Sequence, residues 1–206
     1  MRMVAMMLVA AMVLASCNGG GEQGGAQATK GVKVCGSSNI YGKKLTRVRS
    51  SKNRQCGFGD AVEVYHVAGV AVRGAPQIRC STAKALEKWT SRSAVPAVRR
   101  ATGETLTEMT IWVGYACRNR SSGRLSEHAL GNAVDIAAFR TNKGSFTVKN
   151  DWRKGGYGRA MQTMKKGACG PFGVVLHPDN DRNHHDHFHF DTSHNSSRYR
   201  YCRQRP

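Results

Sequence analysis

Short runs of apolar residues divide the chain into strands and helices. Runs rich in β-branched and aromatic residues predict strands at 61–72 (one strand or two short ones), 106–118, 133–139, 145–148, 172–178 and 187–192. The turn TNKG between the third and fourth of these runs predicts a hairpin. Within HFHFDT, apolar and polar residues alternate, as they do in a strand with one buried face.

Helical spacing appears in three places. Ala85, Leu86 and Trp89 lie on one face of a helix predicted near residues 82–92. Pro96 can begin a second short helix that runs to about Thr102, with Gly103 as its stop. GRAMQTMKKGAC, residues 158–169, predicts a third helix. Strands and helices do not alternate as regular βαβ units, so we expect an α+β fold with a mainly antiparallel sheet and flanking helices.

The N-terminus has the pattern of an export signal. Arg2 precedes an apolar run from Val4 to Ala15 that is too short to span a bilayer permanently. The sequence Leu-Ala-Ser-Cys that ends at Cys17 resembles the bacterial lipoprotein signal, in which the cysteine carries the lipid. The alternative is an ordinary secretory signal. We predict a signal peptide at 1–16, a glycine-rich flexible tether at 17–30 and one folded domain at 31–206.

Charge and cysteine content favour the bacterial cell envelope. Six cysteines besides Cys17 are dispersed without CxxC pairs, which predicts disulfides and an oxidising compartment. The net charge of +19 predicts attraction to polyanions, and envelope polymers fit an exported protein. The alternative is a solvated basic surface without a single partner. No motif for specific nucleic-acid recognition occurs, so we expect no such partner. We expect a lipid anchor at Cys17 to hold the protein at the membrane, on the periplasmic side.

The stretch NHHDHFHFD, residues 183–191, concentrates histidine and aspartate. In an extended chain, His187, His189 and Asp191 point to one face, while Phe188 and Phe190 point to the other. The phenylalanines can enter the core and fix the imidazoles on the opposite face. This pattern favours a functional site over a solvated histidine patch.

A second group of candidate ligands lies upstream, in LSEHALGNAVDI. His128 and Asp135 are seven residues apart, with a glycine between them that lets the chain turn. A catalytic zinc needs about three protein ligands and one open position. His128, Asp135 and one of the later histidines make such a set.

These motifs carry a family resemblance. SEHALGNAVD resembles the SxHxxGxAxD motif of the D-Ala-D-Ala metallopeptidases and the penicillin-insensitive murein endopeptidase, which are LAS-type zinc enzymes. HHDHFH has the HxxHxH spacing of the endopeptidase. CGFGDAVEV, IRCSTAKALEKW, YACR, ACGPFGVVL and HHDHFHFD, together with SEHALGNAVDI, resemble the bacterial extensin-like C-terminal domain family over nearly all of residues 50–202.

The resemblance implies an LAS-like fold and roles for particular residues. The implied ligands of a single zinc ion are His128, Asp135 and His189. Arg118 resembles the arginine of the carboxypeptidases that holds a substrate carboxylate or the developing oxyanion. Ser126 is implied to support the site or the substrate.

The identity of the general base stays open at this stage. His187 is implied to act as the base or to orient the attacking water. The sequence lacks the ExxH of the vancomycin-resistance branch, because Asp186 stands three positions before His189. His184 and Asp186 are therefore alternatives to His187.

The expected function is zinc-dependent hydrolysis of amide bonds in peptidoglycan stem peptides or cross-links, as an endopeptidase or a carboxypeptidase. The principal alternative is an envelope lipoprotein that binds the wall without turnover. A third possibility is a zinc hydrolase with another amide substrate.

Overall fold

The computed structural model describes residues 31–193, and their strands form one ten-stranded sheet. The strands are β1 Val32–Lys33, β2 Ile40–Arg49, β3 Gly57–Val67, β4 Val70–Arg73, β5 Gln77–Arg79, β6 Leu106–Val113, β7 Ala133–Thr141, β8 Ser145–Thr147, β9 Val174–Leu176 and β10 Phe188–Asp191. The α-helices are α1 Cys80–Trp89, α2 Val95–Thr102, α3 Val148–Asp151 and α4 Gly155–Ala168. Short 3₁₀ turns occur at Glu127–Leu130 and Arg182–His184, and a π-helical turn at Thr90–Ala94 joins α1 to α2.

The order of strands along the sheet is β1-β2-β3-β4-β6-β7-β10-β9. β5 also pairs with β3, and β8 pairs with β7. Every pairing is antiparallel except that between β4 and β6. The expected α+β class with a mainly antiparallel sheet is confirmed.

The hydrophobic core lies between the helices and one face of the sheet. Phe188 and Phe190 of β10 are fully buried in it, as the alternation in the sequence predicted. The ring of Trp89 in α1 meets the ring of Phe190 edge to face at 5.1 Å. The Trp89 indole N–H also donates to the backbone carbonyl of Met164 in α4. The core therefore fixes β10 from one side and leaves its other face for polar groups.

Two disulfides link parts of the chain that are distant in sequence. Cys35 is bonded to Cys80 at the start of α1, and Cys56 is bonded to Cys117. Cys169 is also a disulfide cysteine. The predicted disulfide-stabilised domain is confirmed for these cysteines, while Cys17 and Cys202 lie outside the described residues.

The structure corrects several predicted boundaries. The strand predicted at 106–118 ends at Val113, because residues 114–118 turn away and Ala116 donates its backbone N–H to the carbonyl of His128. The helix predicted at 82–92 begins at Cys80 and continues through the π-helical turn into α2. α2 ends at Thr102, and the φ of +74° at the capping residue Gly103 confirms the predicted stop.

The predicted signal peptide at 1–16 and the tether at 17–30 lie outside the described residues. None of the helices between residues 31 and 193 is long and apolar enough to cross a membrane.

Candidate metal centre

Two of the predicted ligands face each other across neighbouring strands. Asp135 in β7 and His189 in β10 are direct partners in the antiparallel register. Val134 and Ile136 on either side of Asp135 are fully buried in the core. Because side chains alternate along a strand, Asp135 and His189 both project from the opposite face. Asp135 Oδ1 lies 2.9 Å from His189 Nδ1.

His128 reaches the same point from the 3₁₀ turn at Glu127–Leu130. Ser126 precedes the turn, and its hydroxyl accepts the backbone N–H of His128. Gly131 ends the turn with a φ of +69°. A Cβ at Gly131 would lie 2.5 Å from the ring of Phe58, so the close packing of the turn against β3 requires glycine. The LGN segment thus places a buried imidazole beside β7.

The three side chains converge through one atom each. His128 Nε2 lies 3.1 Å from Asp135 Oδ1 and 3.1 Å from His189 Nδ1, which with the 2.9 Å separation of Asp135 and His189 makes a nearly equilateral triangle. Ligand atoms on a tetrahedral zinc at about 2.0–2.1 Å are separated by roughly 3.3 Å. The donor types and their spacing therefore fit a zinc ion.

Both imidazoles are oriented by a hydrogen bond from their second ring nitrogen. His128 Nδ1–H donates to the backbone carbonyl of Gly114 at 2.8 Å, which directs Nε2 at the group. His189 Nε2 lies 3.3 Å from Asp191 Oδ2, and donation there directs Nδ1 at Asp135. Asp191 is fully buried and accepts the backbone N–H of Ser193. Metal-binding histidines characteristically donate their second ring nitrogen in this way.

The electrostatics of the group favour a cation. Burial opposes ionisation of Asp135, but hydrogen bonds from His128 and His189 hold its pKa well below the usual range. Burial lowers the pKa of His189, yet hydrogen bonds to Asp135 and Asp191 outweigh it and raise that pKa to about 9. The two carboxylates thus stabilise a proton where a metal cation would otherwise lie.

The other predicted catalytic residues surround this group. His187 Nε2 lies 3.7 Å from Asp135 Oδ1, and its Nδ1–H donates to Asp186 at 2.8 Å. The ring centroid of His184 lies 5.2 Å from that of His187, and its Nδ1 bonds to Asp181. His185, in contrast, is exposed: its Nδ1–H donates to the Arg182 carbonyl, and its Nε2 lies 3.5 Å from Asp186 Oδ2. The structure therefore places His184 and His187 close to the group, whereas His185 between them in sequence is exposed to solvent.

Arg118 and Ser126 occupy different positions relative to the group. Arg118 Nη2 lies 3.7 Å from Asp135 Oδ2, and more than half of the arginine side chain is exposed. Its guanidinium can therefore contact both the group and a ligand in solvent. Ser126 is buried beneath His128 as the cap of the turn, which supports the site. Its binding of substrate stays a prediction.

Sequence reasoning missed two features of the site. Asp191 was placed on the correct face but given no role, although it orients His189. Trp112 was given no functional role, and its exposed fraction is 56%. It follows the buried Ile111 in β6, so strand alternation turns its indole to the outer face, 6.1 Å from His187 between ring centroids. The alternation within β6 was the available signal.

The role of Asp191 gives a testable prediction. Asp191→Asn keeps the size of the side chain but removes its charge, so His189 is held less firmly and is less basic. We expect zinc affinity to fall about 10- to 100-fold, the usual effect of losing the partner of a metal-bound histidine. Competitive titration with a chromophoric chelator measures this change.

Asp60→Asn, at an exposed position of β3, is the control and should not alter the affinity. Unchanged affinity in Asp191→Asn would show that Asp191 does not support the metal.

Two features define the structural class of this protein. It has an α+β fold with one mainly antiparallel sheet, and it has a His-Asp-His group with the geometry of metal ligands. Residues 34–203 match the family described as Extensin-like protein C-terminus, so the chain belongs to that family. This confirms the resemblance to the extensin-like family, while the relation to the LAS-type zinc peptidases stays a prediction. Searches among curated proteins and among solved structures found no match.

Proposed function

We propose that the protein is a zinc-dependent hydrolase of amide bonds in peptidoglycan peptides. The observation that carries the proposal is the convergence of His128, Asp135 and His189 on one point, with His187 and Arg118 beside it. A zinc ion held by these three residues would supply a Lewis acid that polarises a carbonyl and acidifies water.

His187 is the residue that we assign as general base. Asp186 accepts its Nδ1–H, which leaves Nε2 directed at the group with a free lone pair. In this position, Nε2 can take a proton from the attacking water and return it to the leaving amine. Among the alternatives, Asp186 already accepts a hydrogen bond from His187. This bond lowers the pKa of Asp186, so Asp186 is a weak base. We therefore assign Asp186 the role of orienting His187.

His184 is a less suitable base than His187. Its Nδ1 is bonded to Asp181, and burial lowers its pKa against the opposing effect of that carboxylate. Its ring lies 5.7 Å from that of His189, at the rim of the group. We propose that His184 positions His187 or the leaving group, while Arg118 stabilises the negative oxygen that develops on the substrate.

The proposed substrate class follows from the compartment and the motifs. The disulfides of the domain suit an oxidising compartment, and the basic chain suits the anionic envelope. The motifs around His128 and His189 resemble those of zinc peptidases that cleave beside D-amino acids. We therefore propose stem peptides or cross-links as substrate, and attachment to the membrane through a lipid on Cys17.

The decisive experiment is incubation of the purified protein with muropeptides, with and without a zinc chelator, followed by mass spectrometry of the products. Cleavage that the chelator abolishes and added zinc restores is the expected result. Unaltered muropeptides at full zinc occupancy would contradict the peptidase proposal. Retained binding to intact wall would then favour the non-catalytic alternative.

The anchor has a separate test. Cys17→Ser protein expressed in a bacterium is expected to leave the membrane fraction and appear among soluble envelope proteins, because no lipid can be attached to serine by the lipoprotein pathway. Fractionation with immunoblotting measures the distribution. A Cys17→Ser protein that stays with the membrane would contradict lipidation at this residue.

Trp112 is the surface against which we expect substrate to pack. Trp112→Ala should raise KM about 2- to 10-fold, since aromatic contacts contribute about 0.5–1.5 kcal/mol, and should leave kcat nearly unchanged. Trp112→Phe should retain most of the affinity. Steady-state kinetics on a muropeptide separates the two parameters, and a fall confined to kcat would contradict a binding role.

A further inference from the structure

A concave site lies next to the turn that carries His128. Its volume is about 600 Å³, and four arginines line it together with the buried Phe58 and Cys56. We call it the arginine cleft and define it by Arg47, Arg49, Arg54 and Arg79. Neither an acidic residue nor a lysine is among the described residues that line it.

The strand and loop geometry of the chain brings these arginines together. Arg47 and Arg49 are two residues apart in β2, and Val48 between them is buried, so both guanidinium groups lie on the exposed face. Arg54 belongs to the loop that leads to Cys56, and the disulfide to Cys117 holds this loop in place. Their proximity is therefore a feature of the fold.

Arg79 is the most firmly placed of the four. Its Nε–H donates to the backbone carbonyl of Leu130 at 2.8 Å, and its guanidinium lies 5.5 Å from the centroid of the Phe58 ring. Leu130 belongs to the turn that carries His128. The cleft is therefore in direct contact with the turn that positions His128, one of the candidate metal ligands.

The charge in the cleft has no counterpart within residues 31–193. None of its four arginines forms an ion pair with a carboxylate among these residues, whereas Arg73, Arg120 and Arg153 elsewhere all do. Like charges that are gathered in one concavity repel each other, so the arrangement is stabilised when an anion enters. Guanidinium groups match carboxylate and phosphate oxygens through paired hydrogen bonds.

We propose that the arginine cleft binds a polyanion, in the form of a chain that carries several closely spaced carboxylate or phosphate groups. A ligand with one negative charge would leave most of the arginine charge uncompensated, so several oxyanions are required. The buried ring of Phe58 supports the Arg79 guanidinium at the base of the cleft. The Cys56–Cys117 disulfide joins the cleft to the segment of Arg118, so a bound chain can extend toward the candidate metal centre. Binding here needs neither the metal nor turnover, so the proposal is independent of the peptidase activity.

The test compares two double variants of the full chain that lose the same charge. Arg47→Gln/Arg49→Gln alters the cleft, and Arg99→Gln/Arg100→Gln alters two exposed arginines of α2 on the helical side of the sheet. The probes are a short oligoglutamate and a short linear polyphosphate, which distinguish carboxylate from phosphate as the source of the oxyanions. Isothermal titration at about 0.15 M salt, where long-range attraction is largely screened, measures both affinities.

The cleft variant is expected to lose at least about tenfold in affinity for the preferred probe, because it loses charge-assisted hydrogen bonds, the strong class of hydrogen bond. The α2 variant should bind as the unaltered chain does. Equal losses in both variants, or no binding of either probe, would overturn the proposal.

A further measurement tests whether the cleft binds its ligand independently of the candidate metal centre. Asp135→Asn protein in the presence of a chelator should bind the preferred probe with unchanged affinity. Loss of binding there would overturn the cleft as a separate site, and it would do so whether or not the protein cleaves muropeptides.

Discussion

Replacing Asp135 by asparagine is expected to lower zinc affinity by more than about 100-fold and to abolish chelator-sensitive cleavage. Loss of a partner behind a ligand costs about 10- to 100-fold, and loss of a ligand itself should exceed that range. Asp135 Oδ1 is the one anionic donor of the group and lies within 3.1 Å of both imidazole donors. Zinc content after dialysis and competitive titration with a chelator measure the change.

The control must separate loss of metal from loss of fold. Asp60→Asn removes the same charge from an exposed position of β3 and should retain zinc and activity. Thermal unfolding of the metal-free proteins shows whether Asp135→Asn still folds cooperatively. A folded Asp135→Asn protein that binds zinc as tightly as the unaltered chain would refute the assignment of the ligands.

Parts of the fold could be predicted because local patterns determine them. The alternation of HFHFD identified β10 and both of its faces, since burial of Phe188 and Phe190 requires that alternation in any strand. The stop of α2 at Gly103 followed from the ease with which glycine adopts a positive φ. In both cases neighbouring residues carry the information.

Other elements depend on contacts between distant residues. β2 was not predicted, because its sequence IYGKKLTRVR exposes charged side chains and carries no sustained apolar alternation. It is a strand because it pairs with β3 along most of its length. The strand of Trp112 was predicted too long, since the Cys56–Cys117 disulfide and the backbone bond from Ala116 to His128 fix the following loop.

In the candidate site too, some features follow from local sequence and others depend on contacts between distant residues. The residue types and spacing of His128 and Asp135 predicted a ligand pair, and the structure places them together with His189. The direct pairing of Asp135 with His189 depends on the register of two strands that are far apart in sequence, which local patterns do not determine. The orienting contact from Gly114 could not be predicted for the same reason, because a backbone carbonyl has no sequence signature.

The site is also asymmetric in a way that bears on catalysis. His128 and Asp135 are almost fully buried, while Arg118 and Trp112 are more than half exposed. His187 lies between these two environments, with Nδ1 engaged by Asp186. The buried residues can therefore hold a metal rigidly, and the exposed ones can meet a large substrate. This position supports the proposed role of His187 in proton transfer.

Replacing His187 by alanine is accordingly expected to lower kcat on muropeptides about 10²- to 10⁴-fold, the usual contribution of a general base. Zinc content should be unchanged, because the ligand atoms belong to His128, Asp135 and His189. Single-turnover kinetics with zinc-loaded protein measures the chemical step. Its combination with zinc analysis distinguishes loss of the base from loss of the metal.

His185→Ala is the matched comparison, because it removes an exposed imidazole that lies 3.5 Å from Asp186 and should lower kcat far less than His187→Ala does. His184→Ala tests the rival base: a positioning role predicts a smaller loss than that of His187→Ala. If His184→Ala caused the larger loss while His187→Ala remained active, the proton would be transferred through His184. Asp186→Asn should reproduce part of the His187 effect, because it weakens the hydrogen bond that directs Nε2 toward the group. A large fall in kcat with intact zinc in His187→Ala, and a smaller fall in Asp186→Asn, would identify the two residues as one proton-transfer unit.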